Sequence, residues 1–292
     1  ISAGRSVMAL ATSHGFCRGY STSGYSASAS VIAGTGNKMQ RDYASHNARH
    51  YADLDAPADI GRLAGERTVA RLNPARLPSG AMPVLFDPRV GPSLLGHLLS
   101  AITGSAITRR SSFLLGHEDE PIFGPGIVIR DDPHRPRGLR SKPFDGEGLA
   151  TGPRNIVEDG RLTGWLLDSA SARQLGLEPT GHATRGIGGS PGASGTNVDL
   201  LPGTLSRDEL IGDIKRGVYV TELIGQGVNP VTGDYSRGAS GFIIDNGAIG
   251  APVAEITIAG NLLEMFRHLT PADDLELRRA SNTPTLRIDG MT

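Results

Sequence analysis

The sequence predicts an α+β fold that is mostly antiparallel β-sheet with a few helices. Residues 157–162 and 244–249 each place Asp-Gly or Asn-Gly between apolar, strand-like runs. Only residues that tolerate positive φ fit the two-residue turn of a hairpin, so both segments predict paired antiparallel strands. Strand patterns outnumber helical patterns, and the 292 residues include 40 Gly and 19 Pro, which favours frequent turns.

Residues 1–55 predict strands and turns, and one helix follows them. Ser and Ala alternate between Ser21 and Ala33, which suits a strand with small residues on both faces. Pro57 favours the first turn of a helix, and Pro74 should end that helix. Its expected apolar stripe comprises Ile60, Leu63, Ala64 and Leu72.

A domain boundary is predicted at residues 74–83, which contain three prolines and are typical of a linker. We therefore divide the chain into a first domain at residues 1–76 and a second domain at residues 82–292. The chain begins at Ile1 without an initiator Met, so we expect the first domain to be truncated at its N-terminus.

Three further helices are predicted in the second domain. Asp87 is expected to cap the first of them and Gly104 to end it. Ser206 begins a capping-box pattern, with Gly217 expected to end that helix, and Asn261 should cap the last one. The apolar face of the first helix comprises Val90, Leu94, Leu95, Leu98 and Ile102.

The charge balance excludes some function classes. Basic and acidic side chains nearly cancel, 29 against 30, for a formal charge of −1. Electrostatic binding to nucleic acid or to a membrane surface needs a surplus of basic groups, so neither is expected. No apolar run approaches the roughly 18 residues of a membrane span, and Cys17 is the only cysteine. We expect a soluble, cytoplasmic protein without internal disulfides.

No complete catalytic motif is present in the sequence. Gly-x-Ser-x-Gly and Walker patterns are absent. His46 and His50 have the i, i+4 spacing of helical zinc ligands, but no Glu accompanies them and their neighbours are typical of a solvated stretch. His97 is expected to pack beside leucines or lie at the rim of its helix. Asp131 and Asp132 could bind a metal, but we favour an exposed turn.

Two features leave alternatives open. Asp145 and Glu147 are flanked by glycines and could work as an acid/base pair on one side of a strand, although we favour a structural turn. The glycine-rich stretches at residues 181–195 and 225–241 are either surface connections or loops that line a cleft.

Several long motifs in order resemble the C-terminal domain of the TldD/PmbA family, also called the modulator of DNA gyrase family. They are PFDGEG at 143–148, TGHA at 180–183, GVNPVTGDYSRGASGF at 227–242 and PVAEITIAGNL at 252–262. The resemblance covers residues 82–292. Residues 1–76 more loosely resemble the end of the family's preceding domain.

The resemblance implies a proteolytic complex of two related subunits, TldD and TldE (also called PmbA), that acts on unstructured peptides. TldD-like subunits carry His-Glu-x-x-His on the helix corresponding to residues 92–104, and a zinc-binding cysteine near the C-terminus. Here His97 is the only histidine in that stretch, and residues 277–284 contain no cysteine. Both departures place the chain on the TldE/PmbA side. We expect no catalytic residue and no metal ligand in this chain, and zinc in a TldD-like partner.

The expected role is to supply part of a shared peptide cleft. A peptide can be held by backbone pairing to a strand edge, which needs few special side chains. The candidate substrate-binding residues lie in the stretch 225–241 and are Asn229, Asp234, Ser236 and Arg237. Bracing of the loop is their alternative role. Two other functions stay open, an independent hydrolase that uses Asp145 and Glu147, and a non-enzymatic protein that interacts with gyrase.

Overall fold

The computed structural model describes residues 1–186 and 188–292, except for the side chain of Asn37. Its N-terminal unit is an antiparallel sheet in the order β1-β2-β3 with one helix packed on it. These elements are β1 (Ser2–Ala11), β2 (Cys17–Ala33), β3 (Gln40–Ala48) and α1 (Pro57–Ala70). The strand predicted between Ser21 and Ala33 and the helix beginning at Pro57 are both confirmed.

Small side chains explain how α1 packs on this sheet. Ile60 and Ala64 of α1 are buried against Ala27 of β2 and Ala44 of β3. Methyl-sized side chains on the sheet let the helix approach closely. Leu63, which the sequence placed on the same apolar stripe, is 39% exposed instead, so the buried face of α1 is narrower than predicted.

The remaining elements form the main body of the protein. In chain order they are β4 (Met82–Phe86), α2 (Pro92–Ala101), α3 (Gly104–Thr108), β5 (Ile129–Asp131), β6 (Arg154–Glu158), β7 (Arg161–Leu162), α4 (Ser169–Leu175), β8 (Ala183–Thr184), β9 (Gly192–Ala193), β10 (Val198–Leu200), α5 (Arg207–Gly212), β11 (Arg216–Ile224), β12 (Asp234–Asp245), β13 (Ala248–Asn261), α6 (Leu262–Arg267), β14 (Leu269–Pro271), β15 (Ser281–Asn282) and β16 (Leu286–Met291).

The main body contains a six-stranded sheet in the order β13-β12-β11-β4-β16-β14 and a five-stranded sheet in the order β15-β10-β5-β6-β7. Most neighbours are antiparallel, and β4 with β11 and β10 with β15 are parallel pairs. The predicted fold class, α+β with mostly antiparallel sheet, is confirmed.

Helices cover both faces of the six-stranded sheet. Side chains alternate along β4, so Phe86 packs into the same cluster as Leu94 and Leu98 of α2, whereas Leu85 packs into the cluster that contains Leu210 of α5. The period-two pattern of a short apolar strand therefore supplies both layers of the core, and it positions α2 against the sheet.

Both predicted hairpins are confirmed. Asp159 and Gly160 join β6 to β7 with φ of 46° and 77°, and Asn246 and Gly247 join β12 to β13 with φ of 46° and 78°. Consecutive positive φ values match the twist of the flanking strands.

Several helix boundaries differ from the predictions. Asp87 does not cap α2, because its carboxylate accepts hydrogen bonds from the Arg89 backbone N–H and the Tyr219 hydroxyl, and the helix begins at Pro92. Gly104 begins α3 rather than ending α2, since Thr103 caps α3 and a Cβ at Gly104 would lie 2.1 Å from the Ser171 Oγ. Gly217 lies within β11, and α5 ends at Gly212.

Buried ion pairs join the N-terminal unit to the main body. Asp42 of β3 lies 2.9 Å from Arg89 and 3.6 Å from Arg71, whose guanidinium also pairs with Glu222 of β11. The side chains of Asp42 and Arg71 are 4% and 8% exposed. Because each buried charge has an oppositely charged partner, the network can hold the two parts in one arrangement.

None of the helices in the described part of the chain is long and apolar enough to cross a membrane.

Candidate functional site

The main candidate site is a groove between α2 and β12, defined by Ser93 and His97 of α2 and Tyr235 and Arg237 of β12. Ser93 and His97 are one helical turn apart and share a face of the helix. Tyr235 and Arg237 are two residues apart and share a face of the strand. We refer to it as the α2–β12 groove.

Tyr235 and His97 are in direct contact across this groove. Their rings meet edge to face, with centroids 6.0 Å apart and an interplanar angle of 79°. Tyr235 is only 1% exposed. Burial raises the pKa of the Tyr235 hydroxyl, so it stays protonated. Burial, together with the positive charge of Arg237, lowers the pKa of His97 and favours its neutral form.

Three polar groups in the groove lack a partner. The buried Tyr235 hydroxyl, His97 Nε2 and Arg237 Nε form no hydrogen bond with any residue that the structure describes. A buried polar group without a hydrogen bond is costly, and such groups are rare in folded proteins. Three of them on the facing sides of α2 and β12 make the groove a candidate binding site for a hydrogen-bond acceptor.

Two cavities border residues of the groove. One measures 230 Å³ and includes His97, Arg109, Phe113 and the loop residues Val228 and Pro230 in its walls. The other measures 270 Å³, and Ser93 and Arg237 lie in its walls. Tyr235 lies in the wall of neither cavity, but it contacts His97, in the wall of the first, and shares a strand face with Arg237, in the wall of the second.

The glycine-rich stretch 225–241 consists of a loop at residues 225–233 and the beginning of β12. The loop covers part of the groove. A Cβ at Gly227 would lie 1.8 Å from the Ser236 carbonyl oxygen, and the Ser236 N–H donates to the Gly227 carbonyl over 2.7 Å. Only glycine allows this approach. The loop is therefore fixed against β12 and lines the cavity beside His97. The other glycine-rich stretch, 181–195, contains β8 and β9, and residue 187 lies outside the described part of the chain.

The structure separates the four predicted substrate-binding residues. The Asn229 side chain accepts from the Val231 N–H over 3.0 Å, and Asp234 accepts from the Thr232 hydroxyl over 2.6 Å. Both side chains brace the loop while remaining exposed. The Ser236 side chain is exposed on the opposite face of β12 from Arg237. Of the four, Arg237 is the residue that enters the α2–β12 groove.

Asp145 and Glu147 have structural roles. Asp145 is 2% exposed and accepts hydrogen bonds from the backbone N–H groups of Glu147, Leu149 and Ala183. Glu147 accepts from the backbone N–H and the hydroxyl of Ser169 at 2.8 and 2.7 Å. These bonds support the structural turn rather than an acid/base pair.

The described residues do not fit a zinc site. No group of three His, Cys, Asp or Glu side chains among them could hold a metal ion. His46 lies on β3 and His50 lies beyond the end of that strand, so the two do not share a helical face, and His46 Nδ1 accepts from the Asp55 backbone N–H over 3.1 Å. His97 faces Tyr235 and the positive charge of Arg237, and this charge would repel a cation.

Sequence reasoning missed Tyr235 as a site residue and placed Asp131 wrongly. Tyr235 lies within the motif at residues 227–242, two residues before Arg237. On a strand these two residues share a face, and this spacing could have identified Tyr235. Asp131 is fully buried rather than in an exposed turn, and it accepts from the Thr196 N–H and lies 3.2 Å from His182 Nε2. Cavity shape and burial at these positions depend on distant segments.

A separate cleft of 420 Å³ lies where β3 and α1 meet the segment at residues 274–283. Arg278 pairs there with Asp55 and Glu276, and Arg279 donates to the Arg89 carbonyl over 2.7 Å. The pair of Arg278 with Asp55 thus joins the two parts of the protein at this cleft.

Comparison with known proteins identifies domains of one family along the chain. Residues 79–292 match the PmbA/TldA metallopeptidase C-terminal domain, and residues 1–72 match the central domain of the same family.

Curated relatives carry the same family names. Metalloprotease PmbA of Escherichia coli O157:H7 is 44% identical over 273 residues, which cover 93% of this chain and 59% of that protein. The metalloprotease PmbA homolog of Haemophilus influenzae is 40% identical over 288 residues, covering 98% and 62%. The metalloprotease TldD homolog of the same organism is 27% identical over 222 residues, covering 74% and 45%. The chain spans about 60% of the length of the two PmbA relatives.

Solved structures share the fold over nearly the whole chain. A candidate modulator of DNA gyrase from Bacteroides thetaiotaomicron superposes with a TM-score of 0.90 at 29% identity, covering 99% of this chain and 64% of that one. TldE from Thermococcus kodakarensis superposes with a TM-score of 0.88 at 24% identity, covering 99% and 66%.

Proposed function

Since this chain belongs to the PmbA/TldA metallopeptidase family, we propose that it is a TldE/PmbA-type subunit without catalytic zinc. In this proposal it works with a TldD-like, zinc-bearing subunit in the cleavage of unstructured peptides. Its own contribution is a wall of the peptide cleft.

The observation that carries the proposal is the number of possible metal ligands on α2. In a family of metallopeptidases, this helix offers His97 as its one histidine, and the described residues contain no group of three metal-ligating side chains. A zinc peptidase needs three protein ligands and an open position for water. In this proposal the hydrolytic centre is supplied by the TldD-like subunit.

Two further observations support the TldE/PmbA side. The chain is 40% identical to the PmbA homolog of Haemophilus influenzae but 27% identical to the TldD homolog of that organism. In addition, the segment where a TldD-like cysteine is expected is occupied by a hydrogen-bonded turn. Asn282 accepts there from the backbone N–H groups of Arg278 and Arg279.

The surface that this chain offers to a peptide combines backbone and side chains. β13 is the edge strand of the six-stranded sheet, and this chain's own backbone pairs with its outer side only at Pro252 and Ala259 among the described residues, so in this proposal the rest of that side pairs with an extended peptide. The α2–β12 groove, one strand further into the sheet, adds donors that have no partner. Backbone pairing gives affinity for unfolded chains, and a groove can select side chains.

The test is a reconstitution with a labelled, unstructured peptide. This chain, a TldD-like partner and the mixture of both are assayed for cleavage, with and without a chelator. We expect chelator-sensitive cleavage by the mixture. A partner in which the Glu of His-Glu-x-x-His is replaced by Gln serves as the matched control and should abolish cleavage. Robust, chelator-sensitive cleavage by this chain alone would contradict the proposal.

A further inference from the structure

The unpartnered atoms of the α2–β12 groove are all able to donate a hydrogen bond. The Tyr235 hydroxyl stays protonated, and Arg237 is a permanent cation. Neutral His97 can donate from Nε2 as well, since in one of its tautomers this nitrogen carries the proton. The groove therefore presents three donors, one of them charged, and the described residues supply no acceptor for them.

The nearest acidic side chains are already engaged. Asp42 and Glu222 line the same cavity as Arg237, but Asp42 pairs with Arg71 and Arg89, and Glu222 pairs with Arg71 and Arg41. Neither of them lies within salt-bridge distance of Arg237. The arginine thus contributes positive charge that the groove does not neutralise.

Anionic oxygen acceptors match this arrangement best. A carboxylate has two oxygens and accepts from several donors at once, and hydrogen bonds between charged groups are about twice as strong as neutral ones. A neutral backbone carbonyl would leave the charge of Arg237 uncompensated. The low exposure of Tyr235 strengthens the interaction further, since water competes poorly in a buried site.

We propose that the α2–β12 groove binds a carboxylate of the peptide substrate, held by Arg237, Tyr235 and His97. The inference rests on the proposed function, because it assumes that the bound molecule is a peptide. The carboxylate can be the C-terminus of the peptide or an Asp or Glu side chain. In this proposal it enters by the cavities of 230 and 270 Å³, whose walls include His97 and Arg237 respectively.

Four fluorescently labelled peptides of one unstructured, otherwise uncharged sequence test the proposal. The first has a free C-terminal carboxylate, and the second has a C-terminal amide. The third and fourth are amidated and carry one internal Glu or one internal Gln. Anisotropy titrations with the full chain give the four dissociation constants. A carboxylate that occupies the groove should tighten binding about tenfold or more.

Three protein variants accompany the peptides. Arg237→Gln removes the charge and should abolish the preference for the carboxylate. Tyr235→Phe removes one hydroxyl that has no internal partner, so it should weaken the preference while leaving the melting temperature unchanged or higher. Arg216→Gln, on an exposed arginine of β11, is the matched control and should retain the full preference.

The outcomes separate the carboxylate site from the more general peptide-binding role. Preference for the free C-terminus over the amide, or for Glu over Gln, supports the proposal and identifies the source of the carboxylate. Equal binding of all four peptides, unchanged in Arg237→Gln, overturns the carboxylate site but leaves peptide binding intact. Absence of binding by every peptide overturns the carboxylate site and also contradicts the peptide-binding role proposed above.

Discussion

The ring of Tyr235 meets the ring of His97 edge to face across the α2–β12 groove, 6.0 Å between centroids. This contact joins a strand and a helix that are far apart in the sequence. The Tyr235 hydroxyl and His97 Nε2 are both buried, and neither has a hydrogen-bond partner among the described residues. The first two predictions follow from this pair.

Removing the Tyr235 hydroxyl should not destabilise the free protein. A buried hydroxyl without a partner costs about 1–3 kcal/mol, so Tyr235→Phe should raise the free energy of unfolding by about 1 kcal/mol. Tyr219 on β11 is the matched control, because its hydroxyl donates to Asp87 over 2.9 Å. Tyr219→Phe should lower the free energy of unfolding by about 1.5–3 kcal/mol. Urea denaturation measures both, and a loss of stability in Tyr235→Phe would show that its hydroxyl has a partner.

The pKa of His97 should depend on Arg237. Burial lowers the pKa of His97 and the charge of Arg237 lowers it further, so Arg237→Gln should raise it towards the ordinary histidine value of about 6.5. A histidine whose pKa is depressed by folding stabilises the protein above its unfolded pKa. This contribution is lost as the pH falls below about 6.5 towards the folded pKa. NMR titration of the His97 ring protons in the two proteins measures the shift, and identical titration curves would contradict the assigned cause.

Asp42 should be worth much more to stability than an exposed aspartate with a similar partner. Its side chain is 4% exposed and pairs with both Arg71 and Arg89. Breaking such a buried pair leaves charges uncompensated, so Asp42→Asn should cost about 3–5 kcal/mol. Asp59 also pairs with an arginine, but its side chain is 63% exposed, and Asp59→Asn should have little effect on the urea midpoint. Equal urea midpoints for the two variants would show that the buried ion pairs of Asp42 do not stabilise the protein more than an exposed ion pair does.

Asp145 and Glu147 should matter for folding rather than for catalysis. Asp145→Ala leaves three backbone N–H groups without their acceptor and should lower the free energy of unfolding by about 2–3 kcal/mol. Glu147→Gln keeps an acceptor for Ser169 and should leave peptide cleavage by the reconstituted mixture unchanged. Glu178→Gln, on an exposed carboxylate, controls for the loss of one charge. Complete loss of cleavage in a folded Glu147→Gln protein would restore the hydrolase alternative.

Features that depend on neighbouring residues could be predicted from the sequence. The hairpin turns at Asp159-Gly160 and Asn246-Gly247 follow from the φ values that those residue types tolerate. The capping box of Ser206 with Glu209 is present in full, because each side chain bonds to the backbone of the other.

Features that depend on distant segments could not be predicted. Cys17 is exposed at the beginning of β2, where it pairs with Ala11 at the end of β1. Asp131 is buried only because Thr196 and His182 fold over it. Similarly, Arg237 was singled out within its motif, whereas the groove needs α2 to bring His97 against Tyr235. Local patterns carry no information about such contacts.

Zinc content, measured by elemental analysis, tests the central claim most directly. This chain, a TldD-like partner and their purified mixture are each dialysed against buffer with trace zinc and analysed together with peptide cleavage. The account predicts essentially no zinc in this chain, zinc in the partner, and cleavage that follows the zinc of the mixture. Stoichiometric zinc in this chain alone, lost together with peptide cleavage on chelation, would contradict it.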